Sequence, residues 1–115
     1  MSTERTHIYA EEEPEPSELV GEAFDQLGSN WRLKVLYALH EHGELRFNEL
    51  KRTTDASSRT LSRVVEDLQE YGLVERRLEE DAPVATYYSE TQKAEDLCPV
   101  FSALDEWADE WVETV

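Results

Sequence analysis

Cysteine is almost absent from this 115-residue chain; Cys98 stands alone, which excludes an internal disulfide framework. Lysine is scarce too, with only Lys34, Lys51 and Lys93. No apolar run approaches the roughly 18–20 residues of a membrane-spanning helix, and no secretory signal pattern opens the sequence, so a soluble cytoplasmic protein is expected. The three histidines make no metal set. His40 and His42 are two apart, on different faces of a helix, and His7 lies far from both. No catalytic constellation emerges, so neither an enzyme nor a metal or other cofactor is expected. The length suits one domain with a single modest core.

What the chain has in excess is carboxylate. Eleven basic residues face 27 acidic ones, a net charge of −16, which at first sight argues against nucleic acid. The distribution changes that reading. Residues 1–31 carry a net of −7 and residues 78–115 a net of −10, whereas residues 32–77 hold nine basic against eight acidic residues, a net of +1. Nearly all the basic charge therefore lies in the central segment. Acidity of this degree with so little lysine looks like a halophilic protein, with a halophilic archaeon the expected source; an acidic protein with an acidic partner-binding role is the alternative.

Residues 1–16 are polar, acidic and punctuated by Pro14 and Pro16, without periodicity, and are expected to be a disordered acidic tail. The folded domain is expected over 17–115. Ser17 can cap a helix carrying Leu19, Val20, Ala23, Phe24 and Leu27, ending at Gly28. A second helix, from Ser29 or Asn30 to Gly43, is expected to bury Trp31, Val35, Leu36 and Leu39. Leu45 to Phe47 is a short strand candidate, and Asn48 is the expected cap of a third helix to about Thr53. The central helix follows, with Leu61, Val64, Val65, Leu68 and Tyr71 on one face, Ser57 at its N-cap and Gly72 at its end. Two β-rich stretches, Leu73 to Glu79 and Val84 to Ser89, then form a hairpin. Thr91 caps a last helix running to the C-terminus, in which Leu97, Phe101, Leu104, Ala108, Trp111 and Val115 recur at heptad spacing. Val100 and Trp107 widen that apolar face, as in a dimer surface. Pro99 either bends this helix or marks its true first turn. The order predicts a mainly α fold with a small β hairpin, a winged helix-turn-helix.

The central helix carries the chemistry. Its polar face presents Ser58, Arg59, Ser62 and Arg63, donors suited to phosphates and to base edges in a major groove. Arg59 and Arg63 are the first candidates for bases. Ser57, Ser58, Thr60 and Ser62 are candidates for bases or phosphates, and Arg46, Lys51 and Arg52 for phosphates. Arg76 and Arg77 alternate across the first wing strand, so one is expected to face DNA and the other to pair with a carboxylate. Cys98 is either a small core residue or a cross-dimer thiol, and the buried, inert state is the commoner one. The ordinary reading of the whole face is a solvated helix surface.

These residues give the chain a resemblance to the HxlR-type winged helix-turn-helix transcriptional regulators. The matching stretches are Gly28-Ser29-Asn30-Trp31, Arg46-Phe47-Asn48-Glu49-Leu50, Ser57-Ser58-Arg59-Thr60-Leu61-Ser62 and Gly72-Leu73-Val74-Glu75-Arg76. After the wing only Tyr88 and Thr91 are kept. The resemblance implies a homodimer on a pseudo-palindromic double-stranded operator, with first and last helices supplying the interface. The residues concerned are Leu19, Ala23, Phe24 and Leu27, with Phe101, Leu104, Trp107 and Trp111. The chain departs from the pattern at Asn30, where the family has a basic residue, and at Ser58, where it has proline. Glu79, Glu80 and Asp81 place acid at the wing tip, and 13–16 lack the cysteine that many members carry, so a small-molecule or redox effector stays open. A winged-helix protein-interaction module in a larger assembly is the alternative. Such a module has no need for Ser58, Arg59, Ser62 and Arg63 together.

Overall fold

The computed structural model describes residues 15–81 and 83–113. Helix α1 (Pro16–Leu27) begins one residue before Ser17, which is therefore inside the helix and not its cap. The expected tail lies, but for its last two residues, outside the described residues. Gly28 follows α1 because a Cβ there would run into the carbonyl of Phe24. Helix α2 (Asn30–His42) starts as expected, with the Ser29 hydroxyl accepting from the Arg32 N–H at 3.2 Å, and ends at Gly43, whose φ of 80° suits glycine. It buries Val35, Leu36, Ala38 and Leu39. Trp31 is only half-buried, contrary to expectation: it sits in the first turn of α2, at the margin of the core, with the Lys34 ammonium 4.8 Å from its ring centroid.

Strand β1 is two residues, Leu45–Arg46, and Phe47 opens helix α3 (Phe47–Thr54). The cap forms two residues earlier than Asn48, because the Glu49 carboxylate reaches back to the Arg46 N–H at 2.8 Å. Helix α4 (Ser58–Glu70) has the expected ends. Ser57 Oγ accepts from the Thr60 N–H at 3.1 Å. At the other end Leu73 N–H bonds Leu68 O and Gly72 N–H bonds Gln69 O, a Schellman closure with Gly72 at φ 74°. Leu61 and Leu68 are fully buried. Each contributes about 1.5–3 kcal/mol, which outweighs the few tenths lost to β-branched Val64, Val65 and Thr60 in a helix.

Strands β2 (Val74–Glu79) and β3 (Ala85–Glu90) pair antiparallel, Arg76 opposite Tyr88 and Arg77 opposite Tyr87, and β1 adds to the free edge of β3 to give the order β1-β3-β2. Thr91 caps as expected, but a short helix α5 (Gln92–Glu95) stops after one turn. Helix α6 (Cys98–Trp111) starts anew with Pro99 in its first turn. Proline has no N–H to donate and its ring would clash with the carbonyl four residues back, so it kinks or breaks a helix, and here α5 ends at Glu95 before it. The core joins α2, α3 and α4 to Leu73, Val74, Tyr88 and Ala94, and Phe101 of α6 completes it. This is a mainly helical fold with a small sheet, the winged helix-turn-helix arrangement.

Candidate nucleic-acid interface

The turn between α3 and α4 aims the central helix. Asp55 ends α3 in the left-handed region, φ 64°, donating its N–H to Lys51 O at 2.8 Å. Aspartate tolerates this conformation better than most residues. Thr54 turns its hydroxyl back onto Leu50 O at 2.7 Å, and Ala56 is buried, so the turn is anchored from inside. With Leu61, Val64, Val65 and Leu68 held in the core, Ser57, Ser58, Arg59, Ser62 and Arg63 are exposed and Thr60 half-buried. Among the described residues no carboxylate lies within salt-bridge distance of Arg59 or Arg63. Two permanently charged guanidiniums one helical turn apart, beside three hydroxyls, form an uncompensated donor surface.

Arg46, Lys51 and Arg52 lie on the flanking elements. Arg46 and Arg52 are exposed on one groove of about 420 Å³ between α3 and the wing, lined also by Asn48 and Thr86; Lys51 is half-buried and outside it. Arg46 Nε donates to the Tyr87 hydroxyl at 3.3 Å and its guanidinium lies 5.5 Å from that ring. Arg77 stacks on the same ring at 4.6 Å. It also donates to Glu44 and, at 2.7 Å, to Glu79. Arg77 is thus the wing arginine that pairs with carboxylates. Arg76 is exposed and makes no ion pair among the described residues. Tyr87 had no part in the sequence reading, yet the sheet register seats it between Arg46 and Arg77. Its place opposite Arg77 follows from the hairpin register, and its place opposite Arg46 from the pairing of β1 with β3, which the short strand candidate Leu45 to Phe47 does not specify.

The surfaces expected to dimerise divide into two groups. Leu19, Ala23, Phe24, Leu104, Trp107 and Trp111 are exposed. Leu27 is half-buried against the core, and Phe101, 3% exposed, belongs to the core itself, with its ring edge-on to Tyr37 at 5.6 Å. The heptad spacing counted Phe101 as a seam residue because periodicity marks an apolar side without saying what covers it. Val115 lies outside the described residues. Cys98 is exposed, not buried, its Sγ 3.8 Å from His40 Nε2, because it opens α6 at the surface. Among the described residues no cluster of His, Cys, Asp and Glu is arranged for a metal, and no helix is long and apolar enough to cross a membrane.

A helix-turn-helix whose second helix presents two exposed arginines in its N-terminal half, followed at once by an antiparallel wing, is the winged helix-turn-helix arrangement of transcriptional regulators. The chain belongs to the HxlR-like helix-turn-helix family, whose model matches residues 26–115. It is 35% identical over 88 residues to an uncharacterised HTH-type transcriptional regulator of Halalkalibacterium halodurans, covering 76% of this chain and 78% of that one. It is 32% identical over 92 residues to the HTH-type transcriptional regulator YodB of Bacillus subtilis, covering 79% and 81%. The reduced form of YodB superposes with a TM-score of 0.70 at 31% identity over 81% of this chain and 91% of that one. The oxidised form of the redox regulator HypR superposes with a TM-score of 0.74 at 26% identity over 83% and 98%.

Proposed function

We propose that the protein is a sequence-specific DNA-binding regulator that acts as a homodimer on a pseudo-palindromic operator, with α4 in the major groove. The observation that carries this reading is the face of α4. Arg59 and Arg63 stand exposed beside Ser58 and Ser62 and, among the described residues, pair with no carboxylate, in a chain of net charge −16 where a partner would be easy to find. An arginine bidentate to guanine is the commonest specific base contact. Arg46, Arg52, Lys51 and Arg76 would position the duplex through phosphates, which fix register without specifying sequence. The homodimer reading is supported by the apolar surfaces of α1 and α6, where Phe24 and Trp111 are each 68% exposed. A molecule this acidic, with so few lysines, suits operation in molar salt.

The effector side of the reading has two supports. YodB has been solved reduced, treated with diamide and bound to quinone, and HypR reduced and oxidised, so these relatives meet redox or electrophilic ligands. This chain also has a cavity of about 530 Å³ lined by Leu33, Lys34, Tyr37, Phe101 and Leu104, a size suited to a small molecule.

The test is selection of bound fragments from a random duplex library in molar salt, followed by titration of the selected site. A palindromic consensus is expected, and Arg59→Ala and Arg63→Ala should each cost about 1–3 kcal/mol of discrimination at one base position while leaving the fold intact. Enrichment of no sequence, or full affinity in both variants, would rule out the reading and favour the protein-interaction module.

A further inference from the structure

Helix α1 is poorly anchored by apolar contacts. Its Leu19, Val20 and Phe24 are exposed, and among its described residues Leu27 is the one half-buried apolar side chain packed on the core. Two cations make up the difference. Arg32, at the start of α2, donates from Nη1 to the Asp25 and Gln26 carbonyls at 2.9 and 3.3 Å and from Nη2 to Asp67 Oδ2 at 3.2 Å. Its guanidinium also lies 5.2 Å from the Tyr71 ring. Lys93, which arrives from α5 after the wing, donates to Gln26 Oε1 at 2.9 Å and to Tyr71 O at 2.6 Å. Both therefore tie the last turn of α1 to the C-terminal end of α4, Arg32 at Asp67 within the helix and Lys93 at Tyr71, its C-cap.

The chemistry of each bridge is suited to holding an angle. Carbonyls at a helix C-terminus are unsatisfied within the helix and carry partial negative charge, so a cation is favoured there. A planar guanidinium presents several donors in fixed directions, so one residue ties two carbonyls and a carboxylate at once. The side chain of Arg32 is 20% exposed and that of Asp67 35%, so salt screens this pair less than it screens a fully exposed one. Asp67 is also one turn along α4 from Arg63, and both line a shallow cavity with Arg32 and Trp31.

We propose that Arg32 and Lys93 are positioning residues that form a clasp between α1 and α4. The clasp fixes the angle between the helix that meets the partner subunit and the helix that reads DNA. It thereby sets the half-site spacing the dimer accepts. The spacing consequence rests on the function proposed above; the clasp itself does not.

Two measurements separate these levels. Spin labels at Glu22→Cys and Gln69→Cys, in a Cys98→Ser background and diluted with excess unlabelled protein, report the distance between α1 and α4 without DNA. A narrow distribution is expected that broadens in Arg32→Ala and, independently, in Lys93→Ala. Unchanged distributions in folded variants would overturn the clasp. On DNA, affinity for the selected operator should fall about tenfold in Arg32→Ala, a loss of about 1.4 kcal/mol. Sites with the half-sites moved about two base pairs apart, a rotation of about 70°, should lose their disadvantage, while affinity for a single half-site stays as in the wild type. A uniform loss on all three duplexes that tracks a fall in Tm would show a structural role only and overturn the positioning claim. If the wild type selects no operator, the functional reading fails, yet the label distances still decide the clasp.

Discussion

Arg77 holds Glu44 through two hydrogen bonds, Nε to Oε2 at 3.1 Å and Nη2 to Oε1 at 3.0 Å, across 33 residues of sequence. The wing is thereby tied to the turn that precedes β1, and the Arg77 hydrogen bond holds the Glu44 carboxyl below its ordinary pKa. A guanidinium that already satisfies two carboxylates and a tyrosine ring has few donors left for a phosphate. Arg77→Ala should leave the salt slope of DNA binding unchanged, whereas Arg76→Ala should make it shallower by about 0.9, the value of one phosphate contact. Titrations of both variants against KCl check the pair. The opposite ranking would place Arg77 on the duplex.

Dimerisation should separate from folding along α6. Leu104→Asp and Trp111→Asp would bury an unpaired carboxylate in an apolar interface, which is costly, and should give folded monomers by sedimentation. Phe101→Ala should instead lower the stability of the protomer by about 3–5 kcal/mol, as expected for a core aromatic. A Trp111→Asp protein that sediments as a dimer would locate the interface elsewhere.

Affinity for DNA should fall with salt less steeply than its basic contacts imply. Each phosphate neutralised adds about −0.9 to the log–log slope, but the proposed dimer would carry −32, twice the −16 of one chain, and would also repel the duplex. That repulsion reaches roughly 10 Å at 0.1 M salt and roughly 3 Å at 1 M. Replacing Glu79, Glu80 and Asp81 with Gln or Asn should raise affinity most at low salt and steepen the slope. Glu79 adds to this effect, since its loss also leaves Arg77 with one carboxylate fewer. A steep monotonic loss in the wild type, untouched by the substitutions, is the outcome that sinks the idea.

Glu90 gives a pH dependence of defined sign. Burial raises its carboxyl pKa above the ordinary 4.5, with His40 opposing and Glu95 adding to the rise, and Oε2 has no hydrogen-bond partner among the described residues. Over the interval between the unfolded and the raised folded value, the folded state binds more protons than the unfolded chain. The stability this group contributes is therefore complete below about 4.5 and lost as pH rises through the folded value. Glu90→Gln should melt higher than wild type at pH 7, with the difference closing as pH falls toward 4.5. Equal Tm values at neutral pH would count against it.

Cys98 should react readily with a thiol reagent in the native protein, since it is exposed. With one cysteine per chain, only a bridge between two copies or oxidation of the single thiol is available. Cys98→Ser should keep both operator binding and the response to an effector. Loss of an oxidant response in that variant would make the thiol the sensor.

Local signals were the legible ones. Ser57 and Gly72 bounded α4, Ser29 and Gly43 bounded α2, and the hairpin strands fell within one residue of their expected places, because caps and turn residues act on their own neighbours. What the sequence hid depends on partners far along the chain. The inward turn of Phe101 follows from Tyr37 and His40, more than fifty residues earlier. The engagement of Arg77 follows from Glu44, and the place of Tyr87 from a two-residue strand. Two helix caps lie elsewhere than the residues expected to supply them, Glu15 in place of Ser17 for α1 and Arg46 with Glu49 in place of Asn48 for α3, while Pro99 marks the first turn of α6, one of its two expected roles.

The sheet order β1-β3-β2 puts the last-made strand in the middle. A chain emerging from the ribosome as far as Glu79 already contains α4, yet neither β1 nor β2 has anything to pair with until Ala85–Glu90 follows. Leu45, Val74 and the place that Tyr88 fills stay open to solvent over that interval. Tyr88 and Ala94 then arrive within a few residues of each other, closing both strands and all of the core but Phe101. A nascent fragment that ends before Ala85 therefore carries α4 on a core that still lacks Tyr88, Ala94 and Phe101. Truncated chains from interrupted synthesis should not compete with the finished protein for its sites.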